Sequence, residues 1–403
     1  MVRPARLMRS AVGRFFEYDT PKIVHIQSLH IGITYRFVQL VIISYVIGWV
    51  LVYKKGYQET DNVESSVTSK VKGVVLTNFT LDPNATADEE KLRVWDTADY
   101  VIPPQENGAF FVTTNIIMSP NQEQGICPEL GASCSTGFDC PSGSKSANGV
   151  RTGTCNNATS TCDIRAWCPV EKDVEPQSPV LQGTEDFTVL VKNQIFFPKF
   201  RVRRRNILDG FAKNASYLDS CLYHPSADPF CPIFRLGDII ALAQENYSTI
   251  AVKGAVIGFV IEWECNLDLS VESCLPKYSF RRIDNADDVI AKGWNFRYAN
   301  YWTDTVGRQS VQRRTLIKAY GIRFVFYVYG VAGKFNIVPL ATNLGAGLAL
   351  LGLAVIFCDI VILYCSKRRQ FYSDNKYLRV QDEDAVLFEE DDRSGHSGEN
   401  FFS

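Results

Sequence analysis

Two long apolar segments, one near each end of the chain, constrain the fold more than any other feature. Residues 37–53 carry no charge, and with residues 31–35 they reach the roughly 20 residues that cross a bilayer. Residues 335–358 are also uncharged, and this apolar segment continues to Cys365. The mean hydropathy of -0.06 conceals both segments because the residues between them are polar. The pattern predicts two membrane-spanning helices and excludes a disordered chain, a collagen and a multi-pass transporter.

Neither apolar segment fits a cleaved targeting signal. A secretory signal is shorter and ends in small residues, whereas Lys54 and Lys55 follow the first segment. A GPI signal would end close to its apolar stretch, but a polar tail follows the second segment. Both segments are therefore interpreted as retained spans.

Basic residues set the expected orientation. Those flanking the spans are Arg3, Arg6, Arg9, Arg14 and Lys22 before the first, and Lys367, Arg368 and Arg369 after the second. The positive-inside rule therefore places both termini in the cytosol. The expected domains are a cytosolic N-terminus (1–30), a first span (31–53), an extracellular domain (54–336), a second span (337–365) and a cytosolic tail (366–403).

Glycosylation sequons agree with this orientation. All Asn-x-Ser/Thr triplets lie between the spans and none lies in either tail, as expected of a segment that enters the secretory lumen. The predicted acceptors are Asn78, Asn84, Asn157, Asn214 and Asn246.

The segment between the spans contains ten of the 12 cysteines. An even number outside the cytosol predicts five disulfides. Short loops favour Cys221 with Cys231 and Cys265 with Cys274, whereas spacing alone leaves open how the six cysteines from 127 to 168 pair. A zinc ribbon is the competing interpretation. It is disfavoured because no C-x2-C spacing occurs and His224 is the only histidine between the spans. No metal site is predicted.

Alternating apolar and polar residues predict a mainly β extracellular domain, most clearly at 187–192, 255–263 and 321–329. Lys70 and Lys72 are two residues apart, so on a strand they project from one face and present two ammonium groups to a polyanion. Solvated lysines without a ligand are the simpler alternative. Nucleic acid is not expected as a partner, because 42 Lys and Arg nearly cancel 44 Asp and Glu.

The sequence contains no recognisable catalytic motif: neither G-x-S-x-G nor H-E-x-x-H occurs. The segment 330–334 has two glycines and a lysine, but it lacks the spacing of a phosphate-binding loop. No catalytic residue and no enzyme are predicted.

A stripe of mostly small side chains follows one face of the second span. Thr342, Ala346, Ala349 and Leu353 recur at helical spacing, beside Asn343. Two helices cannot enclose a water path, so a channel would need several subunits around an axis. These residues are the candidate pore and gate.

Seven motifs together resemble the P2X receptors, which are ATP-gated cation channels. They are FEYDTPK from Phe16, YVIGW from Tyr45, KGYQETD from Lys55, VWDTADYVIP from Val94, CPIFRLG from Cys231, YSFRR from Tyr278 and KAYGIRF from Lys318. The resemblance extends from about Phe16 to Lys376 and includes the ten-cysteine domain.

The resemblance implies a homotrimer with ATP bound between neighbouring subunits. The family's phosphate-binding lysines match two strand residues of one subunit, and its Asn-Phe-Arg motif and following lysine match the other subunit. The implied ATP-binding residues are Lys70, Lys72, Thr188 and Lys192 on one side and Asn295, Phe296, Arg297 and Lys318 on the other. Guanidinium and ammonium groups suit a triphosphate.

The resemblance further implies the disulfides Cys127 with Cys168, Cys134 with Cys155 and Cys140 with Cys162, in addition to the two local pairs. It places the gate on the stripe of the second span and a surface-retention signal at Tyr372 and Lys376.

The sequence thus predicts a membrane protein with two transmembrane helices per subunit and a large, mainly β, disulfide-rich extracellular domain, assembled as a homotrimer. The implied function is an extracellular ATP-gated, non-selective channel for Na⁺, K⁺ and Ca²⁺ in the plasma membrane. The implied ligand is ATP or its magnesium complex, without a cofactor. Membrane lipid surrounds the spans, and heterotrimers with related subunits are a second form of assembly. Two alternative classes are a two-span sodium or acid-sensing channel and an ecto-nucleotidase, which acid-evoked current or phosphate release would reveal.

Overall fold

The computed structural model describes residues 28–78, 92–174, 177–208, 215–287, 290, 292–307, 309–365 and 369–376. The predicted acceptors Asn84 and Asn214, and the side chains of Tyr372 and Lys376, lie outside this description. The chain divides into two compact units, one formed by Met1–Glu59 with Phe335–Ser403 and the other by Thr60–Lys334.

Helices are few and mostly short between the two apolar ones. The α-helices in the described ranges are α1 (Leu29–Ser44), α2 (Thr97–Tyr100), α3 (Ala215–Ser220), α4 (Leu236–Leu242), α5 (Tyr247–Lys253), α6 (Ile337–Ile360) and α7 (Arg369–Lys376). Wider π-type turns extend α1 over Tyr45–Tyr53 and α6 over Val361–Cys365. Short 3-10 turns cover Gly137–Asp139, Gln182–Asp186 and Val271–Ser273.

Strands form most of the second unit. They are β1 (Gln58–Asn62), β2 (Glu64–Lys72), β3 (Val75–Asn78), β4 (Leu92–Trp95), β5 (Ala109–Ser133), β6 (Gly149–Asn156), β7 (Thr161–Cys168), β8 (Thr188–Phe197), β9 (Val202–Arg205), β10 (Ile233–Arg235), β11 (Ala255–Asn266), β12 (Pro276–Arg282), β13 (Asn295–Val306) and β14 (Gln309–Phe335). The prediction of a mainly β domain is confirmed.

Two sheets carry the candidate site residues. The larger has the strand order β12-β11-β14-β5-β7-β6, with β13 also paired to β14. The smaller has the order β10-β8-β2, with β9 also paired to β8, and β3 pairs with β4 separately. Its central strand β8 alternates strictly: Val189, Val191, Asn193, Ile195 and Phe197 are buried, and the residues that alternate with them face outward. This period of two fixes which side chains reach solvent.

Aromatic rings fill the core of the second unit. Phe259 lies within 5 Å of the rings of Phe234 and Phe280, with centroid distances of 4.8 Å to each, and nearly perpendicular to both. Tyr278 approaches Phe234 at 5.0 Å in the same edge-on manner. Such contacts add specificity to the apolar burial. The core therefore joins β10 of the smaller sheet to β11 and β12 of the larger one.

All five disulfides implied by the resemblance are present. They are Cys127–Cys168, Cys134–Cys155, Cys140–Cys162, Cys221–Cys231 and Cys265–Cys274. The first three tie together β5, β6, β7 and the loop between β5 and β6. The thiols of Cys358 and Cys365, in and after α6, are free.

In the first unit, α1 and α6 are long and apolar enough to cross a membrane, over Leu29–Tyr53 and Ile337–Cys365. They pack closely where Gly347 of α6 meets the buried Val46, because a Cβ on Gly347 would lie 2.8 Å from a Val46 methyl carbon. Gly345, two residues earlier, has open space around it. Only one of these two glycines is therefore required for helix contact.

Replacing Gly347 by leucine is expected to force α1 and α6 apart, at a cost of about 1–3 kcal/mol for overpacking. A lower midpoint of thermal unfolding of the purified protein in detergent would report this change. Gly345→Leu adds the same side chain at an open position and should leave the midpoint nearly unchanged. Equal midpoints for the two variants would contradict the close contact.

Candidate functional site

The first basic cluster lies on the outward face of the smaller sheet. Strand register places Lys72 directly opposite Thr188, and Thr68 directly opposite Lys192, while Lys70 faces Leu190. Residues opposite each other in an antiparallel pair share a face. Lys70, Lys72 and Lys192 are exposed, and Val71 between the first two is buried. Three ammonium groups therefore point to the same side of β2 and β8.

The backbone that joins these strands is held tightly at one end. Gly73 follows Lys72, and a Cβ at this position would lie 2.0 Å from the ring of Phe187, which precedes Thr188. The Tyr100 hydroxyl donates to the Gly73 carbonyl at 2.9 Å, and its ring lies 4.5 Å from that of Phe187. The relative positions of Lys72 and Thr188 are therefore fixed from both sides.

A cleft of about 600 Å³ opens beside this cluster. Its walls are residues of β2, Lys192 of β8 and the segment 103–107, which includes Glu106 and Asn107. The Arg323 guanidinium is bound to the Glu106 carboxylate, so this acid is already neutralised. The cleft therefore has excess positive charge and room for a multiply charged anion.

Apolar and charged neighbours complete the face around Thr188. Leu190 lies directly opposite Ile233 of β10, and Arg235 lies directly opposite Thr188. Arg235 donates to Asp186 at 2.6 Å and to Asp238 at 3.0 Å, which ties the start of β8 to α4. Leu190 and Ile233 were not among the predicted site residues. The alternation of β8 points to Leu190, since it lies between Thr188 and Lys192, but Ile233 joins the face only through strand pairing.

The second basic cluster lies on β13 and β14, where Arg297 is directly opposite Lys318. Two cations so placed repel each other unless acids lie between them. The Lys318 ammonium donates to both oxygens of Asp173, at 2.6 and 2.8 Å, and Arg297 donates to Asp173 at 2.9 Å. Arg297 also donates to Glu171 at 2.8 Å. Neither acid was among the predicted site residues, because both follow a distant strand, β7.

These contacts keep Asp173, Lys318 and Arg297 charged. Burial raises the pKa of Asp173, but the hydrogen bond from Lys318 and the charge of Arg297 outweigh burial and lower it. Burial lowers the pKa of Lys318 and Arg297, and their carboxylate partners reverse this and raise both. A carboxyl group whose pKa is lower in the folded than in the unfolded chain stabilises the fold at pH values above its unfolded pKa. This stabilisation is lost as the pH falls through the folded pKa. The pairing therefore persists at neutral pH.

The three residues of the Asn-Phe-Arg motif divide between two faces of β13. Asn295 is directly opposite Tyr320, and Arg297 is directly opposite Lys318, so these residues share one face, on which Arg297 is exposed and Lys318 is buried. Phe296 points to the other side, where its ring lies 5.0 Å from that of Phe111. The structure thus places Phe296 in a packing contact and not beside the two cations. None of the residues lining the cleft at β2 belongs to this second cluster.

The candidate pore residues separate into two groups on α6. Thr342, Ala346, Ala349 and Leu353 are exposed and lie on one side of the helix. Asn343 is partly buried and donates from its Nδ2 to the Gly56 carbonyl at 2.7 Å. Asn343 therefore holds α6 to Gly56, in the segment that follows the first span. Thr342, Ala346, Ala349 and Leu353 lie on a different side of α6.

Asn336 begins α6 as its N-cap. Its side-chain oxygen accepts from the Val338 N–H at 2.9 Å, and its Nδ2 donates to Glu59 at 2.6 Å. Asparagine caps helices as well as aspartate does. Asn336 therefore stabilises the start of α6.

Three of the predicted glycan acceptors are described by the structure. Asn78, Asn157 and Asn246 are all exposed. Asn246 also caps α5, but it does so with its oxygen, which accepts from the Thr249 N–H. The amide nitrogen to which a glycan would be attached makes no part of that cap.

A β-rich domain with two basic clusters, together with two apolar helices, is the arrangement of a membrane protein that binds an anionic ligand. A sequence profile for the ATP P2X receptor matches residues 16–379. Mouse P2X purinoceptor 4 is 49% identical over 385 residues, with 93% of this chain and 96% of that protein covered. Human P2X purinoceptor 5 is 45% identical over 393 residues, covering 94% and 85%.

Solved structures agree. The P2X receptor of the Gulf Coast tick, crystallised in the presence of ATP and Zn²⁺, is 44% identical with a TM-score of 0.73, covering 82% of this chain and 100% of its own. The chicken ATP-gated P2X7 receptor channel, crystallised with the competitive antagonist TNP-ATP, is 39% identical with a TM-score of 0.69, covering 82% and 99%. The chain belongs to the ATP P2X receptor family. It is an ATP-gated cation channel, and neither the sodium-channel nor the nucleotidase alternative is supported.

Proposed function

We propose that the channel is a homotrimer and that each ATP molecule binds between the first basic cluster of one subunit and the second basic cluster of its neighbour. The observation that carries this proposal is that the clusters lie on separate sheets and that neither is a complete site. The first offers Lys70, Lys72 and Lys192 around an open cleft. The second offers the exposed Arg297 and, directly opposite it, the buried Lys318. A triphosphate between two subunits would satisfy both.

Each side chain has a distinct role in this proposal. The lysines act as point charges toward phosphate oxygens, and the fork of Arg297 donates two hydrogen bonds. Leu190 and Ile233 offer an apolar surface beside Thr188, whose hydroxyl hydrogen-bonds the adenine. Phe296 supports Arg297 from the opposite side of β13 through its packing on Phe111. Asn295 shares the outward face with Arg297.

The carboxylates of Glu171 and Asp173 are paired with Arg297 and Lys318, the same cations that would bind the phosphates of ATP. In this proposal, binding exchanges carboxylate partners for phosphate partners, so Arg297 and Lys318 have anionic partners both before and after the exchange. ATP opens the channel only if it binds the open arrangement better than the closed one. Drawing two subunits together around the phosphates supplies this difference in affinity for ATP. Separation of the α6 helices at Ala346 and Leu353 then opens the path for cations.

The finer assignments are part of the same proposal. The domain boundaries of the sequence analysis, with both termini in the cytosol, orient the second unit toward extracellular ATP, taken up free or as its magnesium complex. Na⁺, K⁺ and Ca²⁺ pass the pore, glycans occupy the exposed acceptors, and lipid surrounds α1 and α6. Related subunits join heterotrimers through the same surfaces. Tyr372 and Lys376 retain the receptor at the plasma membrane.

Patch-clamp recording of the chain expressed alone, with ATP applied to the outside, tests the function directly. A cation current that appears with external ATP and is absent with ATP inside the cell is the expected result. Cross-linking of the purified protein in detergent should give a trimer. An acid-evoked current without a response to ATP would overturn the proposal.

Replacing Asp173 by asparagine is expected to increase sensitivity to ATP. The change keeps the shape of the side chain but removes the charge that competes with phosphate for Lys318 and Arg297. Partly exposed ion pairs are worth up to about 1 kcal/mol, so the ATP concentration for half-maximal current should fall about two- to fivefold. Glu264→Asn removes an exposed acid that pairs with Lys277 and serves as the control. An unchanged or higher ATP requirement in Asp173→Asn would count against the exchange of partners.

A further inference from the structure

The two acids that pair with the second basic cluster lie on a short loop that follows β7. This segment, residues 169–174, is called the acidic loop here, and it carries Glu171 and Asp173. Within the loop, the Val174 N–H donates to the Lys172 carbonyl at 2.9 Å, and Asp173 is exposed. The loop therefore needs a fixed point close to its start if both carboxylates are to reach the cations.

Gln122 of β5 supplies this fixed point. It is 1% exposed, and its Nε2 donates to the carbonyl of Pro169, the first residue of the acidic loop, at 2.7 Å. Its Oε1 accepts from the Arg314 Nε at 2.8 Å, and Arg314 lies directly opposite it in the pairing of β5 with β14. Both ends of the buried amide are used, as burial requires. One side chain thus joins β5, β14 and the end of β7.

Arg314 determines which way the Gln122 amide points. The guanidinium lies over the Trp167 ring, 4.5 Å from its centroid, and Trp167 meets the Tyr301 ring edge-on at 5.8 Å. A guanidinium stacked on an aromatic ring has few remaining orientations. Because arginine can only donate, the amide oxygen must face Arg314 and the amide NH₂ must face Pro169.

The acidic loop is therefore attached to β14 at two points. Pairing of β7 with β5 ends where Cys168 lies opposite Glu123, so the Gln122 contact lies just beyond the sheet. The second attachment is the pair of Asp173 with Lys318, which is four residues, or about 13 Å, along β14 from Arg314. Without the first attachment, only their own ion pairs would hold the two carboxylates at the cations.

We propose that Gln122 is a positioning residue that sets how strongly the acidic loop competes with the phosphates of ATP. The inference rests on the proposed function, because Gln122 acts through the exchange of partners at Arg297 and Lys318 and contacts neither cation. Fixing the start of the loop reduces the entropy that Glu171 and Asp173 lose when they pair. The acids therefore hold the cations more firmly, and the apparent affinity for ATP is lower than it would be with a free loop.

Replacing Gln122 by methionine keeps a long, buried side chain and removes both hydrogen bonds. Direct binding of ATP to the purified full-length receptor and the ATP concentration for half-maximal current are both measured. ATP should bind about two- to fivefold more tightly, with an unchanged maximal current per surface receptor. In a receptor that carries Glu171→Gln and Asp173→Asn, the same replacement should have no further effect, because an uncharged loop does not compete.

Two further variants separate positioning from a loss of stability. Gln122→Glu keeps an acceptor for Arg314 but removes the donor to Pro169, so it should also tighten ATP binding, and it carries the test if Gln122→Met does not reach the surface. Thr114→Val is the matched control, because Thr114 is buried on the same strand and donates to the Ala251 carbonyl at 2.6 Å. It should lower the midpoint of thermal unfolding and leave ATP binding unchanged.

Three results would overturn the proposal. Wild-type ATP binding in both Gln122 variants would remove the positioning role, while the proposed function would stand if Asp173→Asn still tightened binding. An equal gain from Gln122→Met in the receptor with the uncharged loop would show that the residue does not act through the acids. If Asp173→Asn itself leaves ATP binding unchanged, the exchange of partners is wrong and the positioning role fails with it.

Discussion

Replacing Lys70 by alanine should raise the ATP concentration for half-maximal current by about tenfold or more. Lys70 lies on the outward face of β2, beside the cleft, and it has no ion-pair partner in the described part of the chain. A charge-assisted contact with phosphate is worth about 1.5–3 kcal/mol, and about 1.4 kcal/mol corresponds to a tenfold change in an equilibrium constant. Lys318→Ala should have at least as large an effect, because it also leaves Asp173 without its closest cation.

Lys277→Ala is the matched control, since this lysine is exposed on β12 and distant in strand order from β2. It should shift ATP sensitivity little. Surface expression must be measured with every variant, so that loss of folded receptor is not mistaken for loss of binding. If Lys70→Ala and Lys318→Ala reach the surface and respond with unchanged sensitivity, the proposed ATP site is wrong even though the channel is real.

Mixing variants tests whether the site spans two subunits. In a trimer that combines Lys70→Ala chains with Arg297→Ala chains, one interface keeps both wild-type residues. Cells that express the mixture should therefore recover part of the response to low ATP, whereas either variant alone has no intact interface. A site formed within one subunit would show no such recovery.

Ala346→Cys should make the open channel sensitive to a cationic thiol reagent applied outside. Ala346 is exposed on α6, on the same helical side as Thr342 and Leu353. A bulky positive group at a narrow part of the pore obstructs cations and repels them, so most of the ATP-evoked current should be lost. The reaction should be much faster while ATP is present.

Leu348→Cys provides the control for this experiment. Leu348 is 69% exposed, but at 100° per residue it is displaced by about 200° from Ala346 around the helix. It faces lipid if Ala346 faces the pore, so the reagent should not alter its current. Cys358→Ala and Cys365→Ala should be included in the background because both native thiols are free. Equal modification at 346 and 348 would remove the pore assignment of this face.

Sequence patterns with a local cause predicted most of the fold. The uncharged segments predicted both apolar helices. The alternation of apolar and polar residues at 187–192 predicted the outward positions of Thr188 and Lys192. The local disulfides followed from short loops. Spacing could not choose the other three pairs, and the structure shows why. Cys155 and Cys162 are directly opposite each other in the β6–β7 register, yet each is bonded to a different cysteine.

Interactions between distant parts of the chain could not be predicted from sequence patterns. Asp173 is 145 residues from Lys318 and still forms its closest hydrogen bond. Ile233 reaches the outward face only because β10 pairs with β8. Phe296 was included among the ATP-binding residues through its motif, and only the strand geometry places it on the opposite face, against Phe111. Pairing of strands, not local composition, decides which side chains meet.

Strand β14 has a mechanical consequence. It runs without interruption from Gln309 to Phe335, it carries Lys318, and a single residue, Asn336, separates its end from α6. A tethering loop would absorb a displacement, whereas a paired strand of this length transmits tension and compression along its axis. If ATP binds at Lys318 as proposed, a displacement there is therefore carried along the strand to its end at Phe335 with little slack. Inserting two glycines after Phe335 would add that slack, so ATP binding should survive while the current is lost.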